Sequence, residues 1–336
     1  MYDLLGICLA LATFLTFNAL ASGLATTIWR FASRFTKNWR AATRARIIFV
    51  LRTLPAATAL LLVSVFLIPS YLAFEPRQTV ETVSVKLGLL TLLSAIGIIL
   101  AFWRGITTWR TTGKLVNNWL SHSKTVYLKN LPILAYRIEH KFPVVAVIGV
   151  LRPKLFVAGQ VFDALAPEEL MAVIVHETAH VAARDNLKRW LMRICRDFLV
   201  IIPSPRLLDK DWAEAVELAA DEQAASHKIG ATALDLAEAI IKIARLVPAG
   251  TKPTMPAGAF LIDGEIETGD VLTRRIERLV QIADEKSDKD WRDLFSRGFA
   301  WICFGLLFLT ISFAAMNFDT LAAMHDGIER IVTFLS

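Results

Sequence analysis

The 336-residue chain has few cysteines and no pattern among them. Cys8, Cys195 and Cys303 lie far apart, and none belongs to a CxxC pair. A disulfide framework and a thiolate zinc site are therefore both excluded. The chain also lacks a nucleic-acid recognition motif, so its net charge of +6 does not indicate DNA or RNA binding. We expect no nucleic acid among its partners.

Charged residues are missing from four long segments, 4–29, 53–74, 87–103 and 298–318. About 20 apolar residues are enough for a helix to cross the hydrocarbon core of a bilayer. The apolar fraction of the chain is 55%, above the ~45–50% typical of soluble domains. The sequence therefore predicts four transmembrane helices and contact with membrane lipid. Because no predicted span carries an internal charge, a transport pathway is not expected.

Acidic residues are missing from the loop 30–46, which holds six basic residues. The positive-inside rule places this loop in the cytoplasm of a multi-pass inner-membrane protein. The predicted order is an N-terminal membrane region (1–103), a cytoplasmic domain (104–297), the fourth span (298–318) and a short extracytoplasmic tail (319–336). The tail repeats apolar residues at helical spacing, which predicts either a helix on the outer membrane surface or a frayed terminus.

The predicted cytoplasmic domain is charged and periodic, and its length suits one folded unit. Residues 142–159 are rich in β-branched residues around a turn, which predicts a strand pair. Helices are predicted from Pro167, over 185–202, from Asp211 with a capping box, and near 231–247 and 271–283, with a loop at 250–270. The fold class is thus a mainly α membrane protein with an α+β cytoplasmic domain containing a small sheet.

The stretch VIVHETAHVAARDN (173–186) lies in the helix that starts at Pro167. His176 and His180 are one turn apart, so both imidazoles project from the same face and can bind one Zn²⁺. Glu177 lies about 100° around the helix from the first histidine. In this HExxH arrangement the metal acidifies a water molecule and the carboxylate takes its proton. The alternative is a core helix with two hydrogen-bonded histidines.

The third ligand is not set by the motif itself. The chain lacks the glycine at 183 and the histidine at 186 of a metzincin, and it has no glutamate near 200 for a thermolysin-like spacing. In AVELAADEQAA, Glu217 and Asp221 lie four residues apart on one helix face. One carboxylate can bind the metal while the other accepts the second N–H of a ligand histidine. Glu214 and Glu222 are rivals, and an ordinary solvated acidic face is the alternative.

The remaining candidates have weaker patterns. Asp185 either supports His180 or caps the next helix. His227 is a possible transition-state donor, although a lone histidine near a helix end is more often on the surface. The other histidines, His122, His140 and His325, have no partner pattern.

Three segments carry a resemblance to a known family: GVLRPKLFVAG, LAPEELMAVIVHETAHVAARDNL and ELAADEQA, within 142–225. They resemble the membrane gluzincin metallopeptidases, and in particular the BlaR/MecR-type antirepressor peptidases. This resemblance implies that His176, His180 and Glu217 bind zinc, that Glu177 is the general base, and that Asp221 supports a ligand histidine. It also implies cleavage of a protein or peptide, either a cytoplasmic repressor or the chain itself.

The chain departs from that branch after the fourth span. Only 18 residues follow, too few for a penicillin-binding domain, so direct β-lactam sensing is not expected. The HtpX and CAAX-prenyl-protease branches share HExxH and the distal ExxxD pattern, and would imply membrane quality control or processing. A zinc-stabilised transducer without catalysis is a third possibility. In a peptidase, the strand near 143–150 could pair with an extended substrate.

Overall fold

The computed structural model describes residues 2–36, 39–76, 83–127, 134–199, 207–226, 232–247, 269–284 and 317–335, with Gly305 and Leu309. The N-terminal region is helical. Its elements are α1 (Tyr2–Ala32), α2 (Ala41–Leu62), a π-helical turn (Val63–Leu67), α3 (Ile68–Phe74) and α4 (Val85–Ser121). The π-helical turn joins α2 to α3 without a break, so residues 41–74 form one long helix.

Three helices in this region are long and apolar enough to cross a membrane. They are Tyr2–Ala32, Ala41–Phe74 and Val85–Ser121, with mean hydropathy of 2.1, 2.1 and 2.3 over their most apolar windows. They contain the three predicted N-terminal spans, so helices of spanning length are confirmed there. The predicted fourth span, 298–318, lies almost entirely outside the described residues.

The domain that follows contains a four-stranded sheet and six helices in the described residues. The strands are β1 (Lys124–Val126), β2 (Ala135–Ile138), β3 (Val145–Ile148) and β4 (Lys154–Ala158). The helices are α5 (Gly159–Ala164), α6 (Pro167–Ala183), α7 (Asp185–Asp197), α8 (Leu207–Ala225), α9 (Ala233–Leu246) and α10 (Gly269–Asp284). The predicted helices therefore exist, with shifted ends, and the loop 250–270 falls almost wholly outside the described residues.

The sheet has the order β1-β2-β4-β3. β3 and β4 are antiparallel, with Val145 opposite Val157, which confirms the predicted strand pair. Gly149 follows β3 with φ of 122°, a conformation that glycine adopts without strain. The other two strands were not predicted, because they are short and lie next to segments of mixed polarity. β3 is left at one edge of the sheet, beside α6.

One predicted helix start is wrong, and the third predicted span lies within a longer helix. α4 continues beyond Trp103, the last residue of that span, to Ser121. α8 begins at Leu207 rather than near Asp211. Asp211 is therefore not a helix cap, and its Oδ2 instead accepts a hydrogen bond from Trp29 Nε1 at 2.7 Å. The Asp211 carboxylate, which the local pattern assigned to a capping box, is therefore engaged in a tertiary contact with Trp29.

α4 also attaches the domain to the membrane region. Gly97 and Gly105 lie two turns apart on α4, and the C-terminal half of α7 and Phe198 pack against them. A Cβ at Gly97 would collide with the carbonyl oxygen of Phe198. Trp190 Nε1 donates a hydrogen bond to the Gly105 carbonyl at 3.0 Å. Small residues at such spacing let two backbones approach closely, and dispersion then stabilises the contact.

Two hydrophobic clusters hold the domain. The larger one lies between the sheet and helices α6, α9 and α10, with Phe156, Val173 and Ile240 at 0% exposure. The second cluster joins α1 and α2, two helices of spanning length, to α7 and α8. Its buried members are Trp29, Ala45, Ile48, Met192, Leu208, Trp212, Ala215 and Val216. The same apolar surface therefore belongs to both the N-terminal helices and the domain.

The C-terminal tail forms α11 (Phe318–Leu335), which favours the helix over the frayed terminus. It packs on α3, where Ser70 Oγ donates to the Leu321 carbonyl at 2.8 Å. The rings of Phe74 and Phe318 are 4.8 Å apart, and the His325 ring lies over Phe74 at 5.7 Å. His325 thus contributes to helix packing at the end of the second long helix.

Candidate metal centre

α6 carries both motif histidines in the interior of the domain. The helix begins with Pro167 at its first turn, where the missing N–H costs nothing. Ala166, the residue before the helix, donates its backbone N–H to Glu169 Oε2 at 2.8 Å. This hydrogen bond fixes the N-terminus of α6. The apolar face of α6 packs on the sheet and α9. His176 and Glu177 lie at 0% and 3% exposure, so these polar groups are fixed by their surroundings.

Three side chains converge at the α6–α8 contact. Potential ligand atoms of His176, His180 and Glu217 all lie within 4.8 Å of one another. The two Nε2 atoms are 3.2 Å apart. Glu217 Oε2 lies 3.5 Å from Nε2 of His176, and Oε1 lies 3.7 Å from Nε2 of His180. The pairing of the motif with Glu217 is thus brought about by helix packing.

The geometry and chemistry of these three residues fit a zinc ion. Two nitrogen ligands at about 2.0–2.1 Å from a tetrahedral centre are about 3.3 Å apart, close to the observed spacing. Glu217 Oε2 is buried and accepts no short hydrogen bond among the described residues, since its neighbours His176 Nε2 and Arg275 Nη1 are each 3.5 Å away. A buried carboxylate oxygen gains stability from a closer positive partner, which a metal ion would supply. Two imidazoles and one carboxylate also form a ligand set typical of catalytic zinc.

His176 is backed by a carboxylate and a guanidinium. Its Nδ1 lies 2.9 Å from Asp221 Oδ1. Asp221 in turn accepts hydrogen bonds from Arg275 Nε and Nη2 at 2.8 and 2.9 Å. Arg275 Nη1 also lies 3.5 Å from Glu217 Oε2. The predicted pair on α8 is therefore brought to the motif, with Glu217 beside both Nε2 atoms and Asp221 on the far side of His176.

Arg275 was not among the site residues predicted from the sequence. It lies on α10, 54 positions after Asp221, and is only 1% exposed. The only available signal was an arginine on a strongly amphipathic helix, RRIERLV, which is typical of surface helices as well. A buried arginine of this kind is stable only when its donors meet acceptors. Asp221 and Glu217 supply them.

His180 has its own acidic partner. Its Nδ1 lies 2.9 Å from Asp185 Oδ2. The chain reverses between them at Arg184, whose φ of 56° is left-handed. Asp185 is 6% exposed and also lies 3.5 Å from Lys188 Nζ. The sequence left two roles open for Asp185, support of His180 or capping of the next helix. The side chain contacts His180, and α7 has no side-chain cap at its N-terminus.

Glu177 faces the edge of the sheet. Its Oε2 accepts a hydrogen bond from the Val147 backbone N–H at 3.1 Å. Asn186 Nδ2 donates to the carbonyls of Val147 and Gly149 at 2.9 and 3.1 Å. Strand β3 is thus held beside the HExxH motif by side chains from α6 and α7.

The charges of this centre are strongly coupled. Burial alone lowers the pKa of His176, but its contacts with Asp221 and Glu217 raise that pKa to about 9. Burial raises the pKa of Glu217, but the nearby His180, His176 and Arg275 lower it to about 2. The pKa of Asp221 is likewise lowered below its usual range, against burial, by Arg275 and His176. Both α8 carboxylates are therefore anionic at neutral pH.

Glu177 differs from the other acids because burial raises its pKa above the usual range, and only partly opposing effects come from the two histidines. A carboxylate with a raised pKa is a better proton acceptor than an exposed one. Its environment therefore suits a base more than a ligand.

The rival residues lie elsewhere. Glu214 pairs with Arg274 at 2.9 Å, and Glu222 Oε2 accepts from the Ala41 backbone N–H at 3.3 Å. His122 caps the end of α4, and His140 Nδ1 accepts a bond from the Phe142 N–H at 3.1 Å. His227 lies outside the described residues. None of these four described side chains joins the cluster.

Comparison with known proteins gives one finding for part of the chain. Residues 146–209 match peptidase family M48. The match covers 64 of 336 residues, from β3 to the start of α8. It includes the HExxH motif and Asp185, while Glu217, Asp221 and Arg275 lie beyond it. No curated protein matches the chain. The match, together with three apolar helices of spanning length, supports a metallopeptidase of a membrane type.

The M48-matching segment and the unmatched part of the domain thus build the centre jointly. The matched segment supplies two histidines, Glu177 and the edge strand. The unmatched helices α8 and α10 supply the third carboxylate, the acid behind His176 and the arginine behind that acid. Geometry therefore extends the site beyond the segment that the family comparison identifies.

Proposed function

We propose that this protein is a multi-pass membrane zinc endopeptidase whose active site faces the cytoplasm. The observation that carries the proposal is the convergence of His176, His180 and Glu217 with Glu177 next to them on α6. The match of residues 146–209 to a peptidase family supports the same conclusion. The basic loop 30–46 supports the orientation, because such loops remain on the cytoplasmic side.

Zinc would be held by His176, His180 and Glu217, and when bound it would supply Lewis acidity for hydrolysis of an amide bond. Asp221 and Asp185 each lie 2.9 Å from Nδ1 of one histidine. They therefore keep the proton on Nδ1 and leave Nε2 available as a ligand. Three protein ligands are typical of a catalytic site, whereas a structural site is usually closed by a fourth.

Glu177 would accept the proton of the attacking water and pass it to the leaving amine. Its burial and raised pKa suit that role. Arg275 holds Asp221 and lies near Glu217, so it fixes both carboxylates and balances their charge. Each of these residues acts from a helix rather than a loop, which keeps the site pre-organised.

An extended substrate could pair with the outer edge of β3. Backbone N–H and C=O groups point to alternate sides of a strand from one residue to the next. Those of Val145 and Val147 therefore point to the same edge of β3. The substrate would compete with Glu177 for the Val147 N–H, and this exchange would free the carboxylate for proton transfer. We expect Val147→Pro, which removes that N–H, to depress cleavage and retain zinc. Unchanged cleavage would count against strand pairing.

The biological role that we propose is cleavage of a cytoplasmic regulator, or of the chain itself, in signal transduction. The supporting observation is the contact between the membrane helices and α8, the helix that carries Glu217. Arg52 on α2 is 3% exposed and lies 3.2 Å from Asp209 Oδ1 on α8. A shift of α2 would therefore act directly on the helix that holds the third ligand.

One experiment separates the possible roles. The wild type and Glu177→Gln would be purified in detergent, assayed for zinc per chain, and incubated with total cytosolic and membrane protein. New N-termini would be read by mass spectrometry. Termini in a DNA-binding regulator, made only by the wild type, support the antirepressor role. Termini in many membrane proteins favour the HtpX or CAAX-protease-like role. Full zinc with no new termini favours a non-catalytic transducer.

A further inference from the structure

A cavity of about 370 Å³ opens beside His180, between the β3–β4 turn and the α6–α7 junction. We call it the Arg184 pocket. Its apolar lining comes from Val147, Val150, Leu151, Pro153, Val181 and Leu187. Because His180 is also one of the three converging ligand residues, this cavity borders the metal centre. It is large enough to hold a branched aliphatic or aromatic side chain.

Arg184 lines the Arg184 pocket, and a second arginine lies close by in the chain. Arg152 does not line the cavity itself but lies in the turn between the lining residues Leu151 and Pro153. Both arginines are exposed, and neither forms an ion pair within the described part of the chain. The neighbouring acid, Asp185, is already engaged by His180 and Lys188. The mouth is therefore positively charged.

The backbone gives a second, independent sign that the Arg184 side chain has a role. Arg184 is the one residue other than glycine with positive φ in the described chain, at φ 56° and ψ 40°. Glycine is the usual residue at such a helix end, because a Cβ is strained there. Among the described residues, the Arg184 guanidinium has no hydrogen-bond partner in this turn. An arginine therefore occupies a position where glycine would be less strained, and its side chain does not stabilise the turn.

We propose that the Arg184 pocket selects the substrate. It takes an apolar side chain of the cleaved peptide, and Arg184 and Arg152 hold an acidic residue adjacent to that side chain. This inference rests on the proposed peptidase function, because His180 places the pocket beside the reacting bond. The substrate class is thus an exposed peptide segment that combines a large apolar residue with aspartate or glutamate.

The test measures binding apart from cleavage. Full-length, zinc-loaded protein carrying Glu177→Gln would be titrated into two fluorescent peptides that differ only beside a central leucine, one with aspartates and one with lysines. Exposed charge pairs are each worth a few-fold in affinity, so we expect the aspartate peptide to bind about fivefold to tenfold more tightly. Because salt screens such pairs, this preference should shrink as ionic strength rises. Replacing leucine by glycine should weaken binding of both peptides.

Variants locate the preference in the pocket. Arg152→Gln combined with Arg184→Gly should reduce it to about twofold or less, and the melting temperature should not fall, because glycine suits the left-handed turn. Lys124→Gln is the matched control, since Lys124 is an exposed cation on β1 at the opposite edge of the sheet. It should leave the preference intact.

The outcomes are distinct. Equal affinity for the two peptides, no saturable binding of either, or a preference that survives in the double variant would each overturn the proposal. The binding could depend on charge while the zinc-loaded wild type, which keeps Glu177, cleaves neither peptide. That result would count against the peptidase function and would leave the pocket assignment standing.

Discussion

The metal centre and the contact between α4 and α7 are stabilised by opposite means. At the metal centre, buried charges meet one another at 2.8–2.9 Å, as in the chain from Arg275 through Asp221 to His176. Between α4 and α7, by contrast, glycines let backbones approach and few polar groups take part. The first region depends on each partner being present, and the second depends on side chains being small. A substitution should therefore act through chemistry in one region and through shape in the other.

The largest expected effect separates catalysis from structure within the metal centre. Glu177→Gln keeps the shape of the side chain but removes the proton acceptor. We expect cleavage to fall by about 10²–10⁴-fold, the usual contribution of a general base. Zinc per chain and melting temperature should stay as in the wild type, because Glu177 is not one of the converging ligands. A purified variant that cleaves at a comparable rate would disprove the assignment.

The next effect tests whether buried charge partners hold the centre together. Asp221→Ala leaves Arg275, which is 1% exposed, without its main acceptor. Breaking a buried pair in this way costs about 3–5 kcal/mol of unfolding free energy, and loss of the support behind a ligand histidine weakens metal binding about 10–100-fold. Denaturant titration and chelator competition would measure both quantities.

Glu214→Ala is the control for that prediction, because Glu214 lies on the same helix but pairs with the half-exposed Arg274. Its loss should change stability by about 1 kcal/mol or less. Similar losses in both variants would mean that the buried pairs have no special role.

A smaller effect tests the shape-dependent region. Gly97→Ala places a methyl group against the Phe198 carbonyl, and we expect it to lower unfolding free energy by about 1–3 kcal/mol, as overpacking does. Gly113→Ala on the same helix meets no atom within 4 Å, and should raise stability by about 0.5–1 kcal/mol. Thermal unfolding in detergent would compare them. The same sign for both would contradict the close-packing interpretation.

A separate, graded effect is the pH dependence of metal binding. In the metal-free protein the pKa of His176 is raised from 6.5 to about 9. Its protonated form therefore adds stability that is fully present below pH 6.5 and is lost as the pH rises through about 9. Zinc needs the unprotonated nitrogen, so its affinity should rise about tenfold per pH unit between these limits. Chelator competition at three pH values would measure this slope, and a flat response would contradict it.

Much of the helical organisation was predictable because it depends on local pattern. The uncharged segments predicted four spans, of which three lie in described helices of spanning length, and Pro167 with Glu169 marked the start of α6. The short strands β1 and β2 were missed because each has only three or four residues and lies next to segments of mixed polarity. The start of α8 was placed too late because Asp211, a plausible helix cap by pattern, is held by Trp29, 182 positions away.

For the site, the sequence by itself determined the motif on α6 and the acidic pair on α8, because a spacing of four residues puts two side chains on one helix face. Only the tertiary structure decided how those faces meet. The packing of α6 on α8 selects Glu217 over Glu214 and Glu222, and the return of α10 places Arg275 behind Asp221. Helical spacing is a local property of the chain, whereas the contact between two helices depends on the whole buried surface that they share.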